Sequence, residues 1–325
     1  MFMQGNLIRL AVIALTVISL AGCEFFEELG AVRTFKDANL AYGRGFYDDA
    51  IRLYGEVLEV IDASEGDSEL AENLLPAYFY IGNSYDSLYR PGGRDAENLH
   101  NLDEAIRYYE LAVENIPDPS MKLLSMQYLV AAFGPDKAND PSRSEPVLRE
   151  MILDDPENPD NYFRLAQLYE EAGLFEDAES IYRAVQTFRT EDPIVYLQLA
   201  GFYNRAGEFD LTIAALEERA QIEPDNPEAF YTISTFYWEK AFRDFRITQD
   251  QKHEYILAGL DASDRALALN ARYVDALIYK NILLRMQAND TEDLDEQTAL
   301  IEEADELRET AEELQREQRT AAAGA

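Results

Sequence analysis

Apolar and polar positions along the chain follow the spacing of amphipathic helices, and the pattern repeats. Residues Asn161–Val185 (NYFRLAQLYEEAGLFEDAESIYRAV) place apolar side chains three or four positions apart, interrupted by one glycine. Residues Tyr196–Leu216 carry the same pattern 34 positions later, with Gly207 in the place of Gly173. A helical period broken by a single glycine predicts two amphipathic helices joined by a tight turn.

Residue size within this pattern predicts how the helices pack. Ala166 and Ala178 are small, which allows the two helices of one hairpin to cross closely. Tyr169, Phe175 and Tyr182 are large and are expected to fill the space between that hairpin and its neighbour. The sequence therefore predicts stacked helical hairpins.

This pattern resembles the tetratricopeptide repeat, a helix-turn-helix unit of about 34 residues. The resemblance covers residues 31–290 and implies an all-α fold, an α-solenoid of about six to seven repeats, although the third and seventh copies have no clear register. Insertions are expected near residues 86–100, 134–143 and 239–255, each between the two helices of its repeat.

After the repeats, residues 291–320 predict an acidic C-terminal helix with an apolar seam. The seam has a four-three spacing and contains Leu300, Ala304, Leu307, Ala311 and Leu314. It indicates either a helix that caps the solenoid or a coiled-coil partner helix. Two heptads with two alanines in the seam favour the cap, and residues 321–325 are expected to be a disordered tail.

The N-terminus begins with a short apolar run, Leu7–Ala21, in which Arg9 is the only charge. Spanning a bilayer takes about 20 apolar residues, so this shorter run predicts a cleaved signal peptide over residues 1–22.

Leu20-Ala21-Gly22-Cys23 resembles the lipobox of bacterial lipoproteins and contains the only cysteine of the chain. The resemblance implies lipid attachment at Cys23, followed by a lipidated N-terminal linker over residues 23–30. Glu24, rather than aspartate, implies anchoring at the periplasmic face of the outer membrane. An uncleaved N-terminal anchor and an ordinary secreted protein are the alternatives.

Composition limits the partners. The chain has 28 Lys plus Arg against 63 Asp plus Glu, a formal net charge of −35, which repels phosphate and so argues against nucleic acid. Apolar residues make up 47% of the chain, far from the composition of disordered proteins, so a folded protein is expected.

Few features of the sequence indicate catalytic chemistry. His100 and His253 are the only histidines and are far apart, so the sequence predicts neither a His-based triad nor a His-rich metal site. It contains no phosphate-binding glycine loop and no calcium loop. We therefore expect a protein without enzymatic activity, cofactor or metal.

The resemblance implies a concave groove lined by the first helix of each repeat. Carried onto this sequence, the groove positions combine aromatic rings with amides: Phe35, Asn39, Tyr42, Phe79, Asn83, Phe163, Gln167, Asn204, Tyr231 and Trp238. Such side chains suit an extended peptide or a partner helix. Aromatic residues replace the basic residues that would clamp a carboxylate, which favours a neutral or basic partner. The alternative is that individual rings pack within their own or the next repeat.

The insertions concentrate positive charge and offer a second candidate site. A basic docking edge would contain Arg90, Arg94, Arg143, Lys240, Arg243 and Arg246. The alternative, favoured because insertions in repeat arrays map to loops, is loop growth with local salt bridges.

Together these features predict a non-enzymatic, membrane-anchored scaffold that binds a polypeptide partner in the bacterial periplasm, in envelope assembly or secretion. Two alternatives are a lipoprotein that binds a small ligand for a transport system, and an adaptor that regulates an envelope enzyme or protease.

Overall fold

The computed structural model describes residues 29–63 and 69–323, and no β-strand occurs among them. The predicted signal peptide, Cys23, most of the linker and the last two residues of the predicted tail lie outside these ranges. The first helix, α1, covers residues 29–43. The helices that follow are α2 (Tyr47–Ala63), α3 (Glu69–Glu72), α4 (Ala77–Leu88), α5 (Ala96–Asn115), α6 (Pro119–Ala132), α7 (Pro141–Asp154), α8 (Pro159–Glu171), α9 (Phe175–Phe188), α10 (Pro193–Ala206), α11 (Phe209–Ile222), α12 (Pro227–Arg243), α13 (Gln249–Leu269), α14 (Val274–Asp290) and α15 (Leu294–Ala323).

The chain forms two compact units whose boundary lies between Leu168 and Tyr169, within α8. In unit 1, α4 packs on α2 and α5, and α6 packs on α5 and α7. In unit 2, α10–α11, α12–α13 and α14–α15 form hairpins, and each hairpin packs on the next. Stacked helical hairpins confirm the predicted all-α fold of the α-solenoid class.

Glycine and capping residues set the hairpin turns. Gly45, Gly173 and Gly207 have φ values of 77°, 75° and 81° at three of the turns between paired helices. This left-handed conformation favours glycine because a Cβ atom would be strained there. Asp118 caps the start of α6 and Asp192 caps the start of α10, and each is followed by a proline in the first turn of its helix. The glycine spacing in the sequence therefore marks true turns.

The second helix of several repeats contributes the same buried pair, an alanine followed four residues later by a tyrosine. All six of these side chains are 0% exposed. The pairs are Ala50 and Tyr54 in α2, Ala105 and Tyr109 in α5, and Ala178 and Tyr182 in α9. The alanine allows close helix crossing and the tyrosine fills the space beside it, as predicted. The same prediction was wrong for Phe175, which begins α9 and is 45% exposed.

The third inserted segment extends helices more than it forms a loop. In the third insertion, predicted at residues 239–255, α12 continues to Arg243 and α13 begins at Gln249. Thr248 starts α13 with a capping box, in which its side chain accepts from the Gln251 backbone while the Gln251 side chain accepts from the Thr248 backbone. The expected loop is therefore reduced to residues 244–248.

The seam of the C-terminal helix is covered by its own chain. Ala304, Ala311 and Leu314 of α15 are 0%, 3% and 5% exposed, and α15 packs on α14. Lys280 of α14 adds an ion pair to Glu303 at 2.7 Å. The helix caps unit 2, as expected, and extends from Leu294 to Ala323, three residues beyond the predicted end.

Candidate functional site

Three of the predicted groove residues of unit 1, Asn39, Tyr42 and Asn83, take part in hydrogen bonds between tyrosine hydroxyls and asparagine amides. The Tyr42 hydroxyl donates to Asn83 Oδ1 at 2.5 Å, and Asn83 Nδ2 donates to the Tyr109 hydroxyl at 3.3 Å. The Tyr54 hydroxyl donates to Asn39 Oδ1 at 2.5 Å. Both ends of the Asn83 amide are thus engaged within the protein, where they join α1, α4 and α5.

The tyrosine at the centre of this network remains a hydrogen-bond donor. Burial, and then the negative charge of Asp86, raise the pKa of Tyr109 above its ordinary value of 10.0. Its hydroxyl donates to Asp86 Oδ2 at 3.3 Å, and Asp86 is also paired with Lys137. Tyr109 therefore stays protonated at neutral pH and links Asn83 to Asp86.

The other predicted groove residues of unit 1 differ in exposure. Phe79 and Phe163 are 4% and 6% exposed, so their rings belong to the core. Phe35 is half-buried, with its ring 6.4 Å from that of Tyr80, and Gln167 is exposed. In unit 1 the aromatic residues at the predicted groove positions therefore serve mainly packing.

In unit 2 the structure brings together five aromatic side chains that we call the aromatic row. Successive ring centroids are 5.4, 5.4, 5.3 and 5.6 Å apart. In order, the row contains Tyr273, Tyr231, Tyr279, Trp238 and Phe242. Spacings of seven and four residues place its three α12 members on one face of that helix. Two of the five, Tyr231 and Trp238, are residues that the sequence predicted for the groove.

The end of the aromatic row is open to a ligand. Phe242 is 65% exposed and stacks on Trp238 with an interplanar angle of 9°. Trp238 Nε1 is buried and has no hydrogen-bond acceptor in the described part of the chain. An unpaired buried donor costs about 1–3 kcal/mol. The exposed face of Phe242 is therefore the part of the row that a partner can reach directly.

The predicted residue Asn204 lies apart from the aromatic row, at a cavity of 420 Å³ that we call the basic-edge cavity. Three predicted edge residues, Lys240, Arg243 and Arg246, line the same cavity together with Phe245, which is 94% exposed. The structure therefore brings together the unit 2 half of the predicted basic edge.

The basic residues of this cavity are paired with carboxylates. Lys240 Nζ lies 2.9 Å from Asp244 Oδ2, Arg246 Nε lies 2.8 Å from Asp244 Oδ1, and Arg243 pairs with Glu239 at 2.8 Å. Hydrogen bonds from Arg246 and then Lys240 hold the pKa of Asp244 well below its ordinary value. Much of the positive charge is thus balanced locally.

Two of the predicted edge residues of unit 1 are also paired with carboxylates. Arg90 lies 3.5 Å from Asp95, and Arg143 lies 2.7 Å from Glu110 and over the ring of Phe133. Arg94 is exposed. These local ion pairs fit the alternative of tolerated insertions.

Sequence reasoning missed Phe242 and Phe245. The signal was present, because two phenylalanines in the inserted FRDFR stretch have no counterpart in the repeat pattern. The prediction for that segment used its basic residues and left out its two phenylalanines.

The described residues contain neither a metal site nor a membrane-spanning helix. No group of three or more His, Cys, Asp or Glu side chains among them could hold a metal ion. None of the described helices has the length and apolar character needed to cross a membrane.

Comparison with known proteins agrees with the helical-repeat fold. A family model described as tetratricopeptide repeat matches residues 137–201, which include α7–α9 and most of α10. The C-terminal part of a TPR repeat-containing protein from Cytophaga hutchinsonii is 16% identical, with a TM-score of 0.51, and the match covers 84% of this chain and 95% of that one. MamA from Desulfovibrio magneticus RS-1 is 14% identical over 60% of this chain and 96% of its own, with a TM-score of 0.40. No curated protein sequence matches significantly. The fold is thus one of tetratricopeptide-type helical repeats.

Proposed function

We propose that this protein is a non-enzymatic scaffold, anchored to the outer membrane by a lipid on Cys23, that binds a polypeptide partner in the periplasm. The partner belongs to envelope assembly or secretion. It docks on the aromatic row of unit 2.

The exposed end of the aromatic row is the observation that carries the proposal. Aromatic side chains are enriched in protein interfaces because they supply large contact area at low entropic cost. Phe242 leaves 65% of its surface to solvent beside the half-buried Trp238. Such exposed apolar area, with polar helix surface around it, is typical of an interaction site.

The charge of the protein supports a neutral or basic partner. With a formal net charge of −35, the surface attracts basic polypeptides and repels acidic ones. The basic residues at the turn between α12 and α13 do not reverse this preference, since they are paired with Glu239 and Asp244.

Capture of the partner from detergent-solubilised envelopes tests the proposal. We expect Phe242→Ala to weaken binding by about 2 kcal/mol, roughly thirtyfold, which is the effect of losing an aromatic hot spot. Because Phe242 is largely exposed, the variant should fold normally, which circular dichroism checks. This variant is a sharper probe than Phe79→Ala or Phe163→Ala, which would open cavities in the core.

Two control variants distinguish docking on the aromatic row from docking elsewhere on unit 2. Leu294→Ala removes another exposed apolar side chain of unit 2, 74% exposed, and should leave capture unchanged. Phe245→Ala removes the exposed ring at the basic-edge cavity. Loss of the partner with Phe245→Ala, but not with Phe242→Ala, would move the binding site to the basic edge and contradict docking on the row.

The lipid anchor is tested separately. We expect the wild-type protein to incorporate radiolabelled palmitate and to fractionate with outer membranes, because Leu20-Ala21-Gly22-Cys23 resembles a lipobox, in which the cysteine carries the lipid. Cys23→Ser should lose both the label and the membrane fraction. A labelled Cys23→Ser protein would refute attachment at this residue, and wild type in the inner membrane would refute the outer-membrane assignment.

The basic-edge cavity favours a second candidate, a small-ligand function for a transport system. Its volume of 420 Å³ lies within the range of about 300–1,000 Å³ typical of small-molecule sites. If wild type captures no polypeptide while a small ligand protects Phe245 from solvent, this candidate replaces the scaffold.

A further inference from the structure

Unit 2 contains a second cavity, of 240 Å³, lined by residues of α11, α12 and α13. One wall consists of three aromatic rings, Phe209, Tyr237 and Tyr255. Their centroids are 5.7, 5.2 and 6.2 Å apart, so the rings form one contiguous surface. Beside this wall the cavity is lined by three carboxylates: Asp210, Glu217 and Glu254. We call it the acidic aromatic cavity.

The three carboxylates have no cationic partner among the described residues. Lys240 and Arg243 lie on the same helix as Tyr237, but Lys240 pairs with Asp244 and Arg243 with Glu239. Lys240 also lies over the Phe209 ring, with Nζ 5.1 Å from its centroid, so Tyr237 and Tyr255 are the rings left for an incoming cation. The three carboxylates thus lack an ion-pair partner, unlike those of the basic-edge cavity.

The negative charge of the three carboxylates acts on Tyr237 in the aromatic wall. Burial raises the pKa of Tyr237, and the charges of Glu217, Glu254 and Asp210 raise it further. All three carboxylates thus act on the same ring. A cation placed against that ring would be attracted both by the carboxylates and by the π-face.

We propose that the acidic aromatic cavity receives one arginine or lysine side chain of the polypeptide partner. This inference rests on the proposed function and adds the chemistry of the partner. The volume of 240 Å³ lies below the range of about 300–1,000 Å³ that is typical of drug-sized ligands, so it suits a single long side chain. The aromatic wall accommodates the methylene stem and the carboxylates pair with the charged head.

A titration with model peptides tests the cavity without the natural partner. The probe is a capped glycine-arginine-glycine tripeptide, and its neutral match carries citrulline in place of arginine. We expect the arginine peptide to shift the NMR ring signals of Tyr237 and Tyr255, and to bind at least about tenfold more tightly than the citrulline peptide.

Variants that remove charge then test whether the carboxylates of the cavity cause the tighter binding of the arginine peptide. The double variant Glu217→Gln with Glu254→Gln should weaken arginine-peptide binding about tenfold. Its matched control is Glu218→Gln with Asp261→Asn, which removes two exposed carboxylates from the same two helices outside the cavity. The control should bind within about twofold of wild type, since its charges do not line the cavity and their effect on a peptide bound there is screened by solvent. Equal binding of the two peptides, or equal loss in the two double variants, would overturn the proposal.

Partner capture separates this inference from the function on which it rests. If wild type and the Glu217→Gln with Glu254→Gln variant capture the same partner equally well, the scaffold function stands and the cavity is not the partner's docking site. If wild type captures no partner, the scaffold function fails. If the protein then also binds the citrulline peptide more tightly, or binds the arginine peptide outside the cavity, the proposed role of the cavity is overturned as well.

Discussion

Replacing Tyr109 by alanine is expected to lower the free energy of unfolding by about 3–5 kcal/mol, the cost typical of removing a large buried ring. Tyr109 is 0% exposed and its ring lies 5.9 Å from Phe79 and 5.6 Å from Tyr128. The substitution creates a cavity and also leaves Asn83 Nδ2 without its acceptor. Urea unfolding followed by circular dichroism measures the change.

The variant Tyr109→Phe separates packing from hydrogen bonding. It keeps the ring and removes only the hydroxyl, so the expected loss is about 1–2 kcal/mol. A loss as large as that of Tyr109→Ala would show that the hydroxyl network, and not the ring, holds α4 and α5 together. A loss below about 1 kcal/mol for Tyr109→Ala would contradict the packing described above.

Gly82→Val is expected to destabilise unit 1 by about 3 kcal/mol, at the upper end of the usual cost of overpacking. A Cβ atom at Gly82 would lie 2.9 Å from Cδ1 of Tyr109 and 3.2 Å from the carbonyl oxygen of Ala105. The tyrosine ring is confined by the core and the carbonyl belongs to the backbone of α5, so neither can move aside without cost. Urea unfolding again measures the effect.

Gly55→Val is the matched control, because Gly55 lies inside α2 and its added Cβ would have no atom within 4 Å beyond its chain neighbours and the backbone of its own helix. We expect it to change stability by less than about 0.5 kcal/mol, since only helix propensity is affected. In the double variant Gly82→Val with Tyr109→Ala, removal of the ring should relieve part of the clash, so the combined loss should fall short of the sum of the two single losses. Strict additivity would show that Gly82 and Tyr109 do not constrain each other.

The repeat geometry could be predicted from sequence because it depends on local spacing. Ala178 and Tyr182 lie on the buried side of α9, and Gly173 and Gly207 lie at turns, as their positions in the pattern indicated. These features need only a helical period and a glycine that breaks it, both of which are visible in a single chain.

The exposure of individual rings could not be predicted in the same way. Phe163 and Tyr231 occupy the same position of the pattern, yet Phe163 is 6% exposed while Tyr231 is half-buried within the aromatic row. Exposure depends on which neighbouring helix covers a position, and that is decided by packing between repeats. The cavities of unit 2 were unpredictable for the same reason, since their walls combine helices of adjacent hairpins.

The start of α13 is different, because its signal was in the sequence. Thr248 and Gln251 form a capping box whose T-x-x-Q spacing can be seen without a structure. Recognising it would have shortened the third insertion to the link that the structure contains.

The exposed phenylalanines carry a consequence for solubility. Phe245 leaves 94% of its surface to water and Phe242 leaves 65%, an arrangement that in a neutral protein invites self-association. A formal net charge of −35 makes copies of this chain repel one another at long range. The acidic composition thus gives the protein colloidal protection, which allows it to keep aromatic surface open to a partner without adhering to itself.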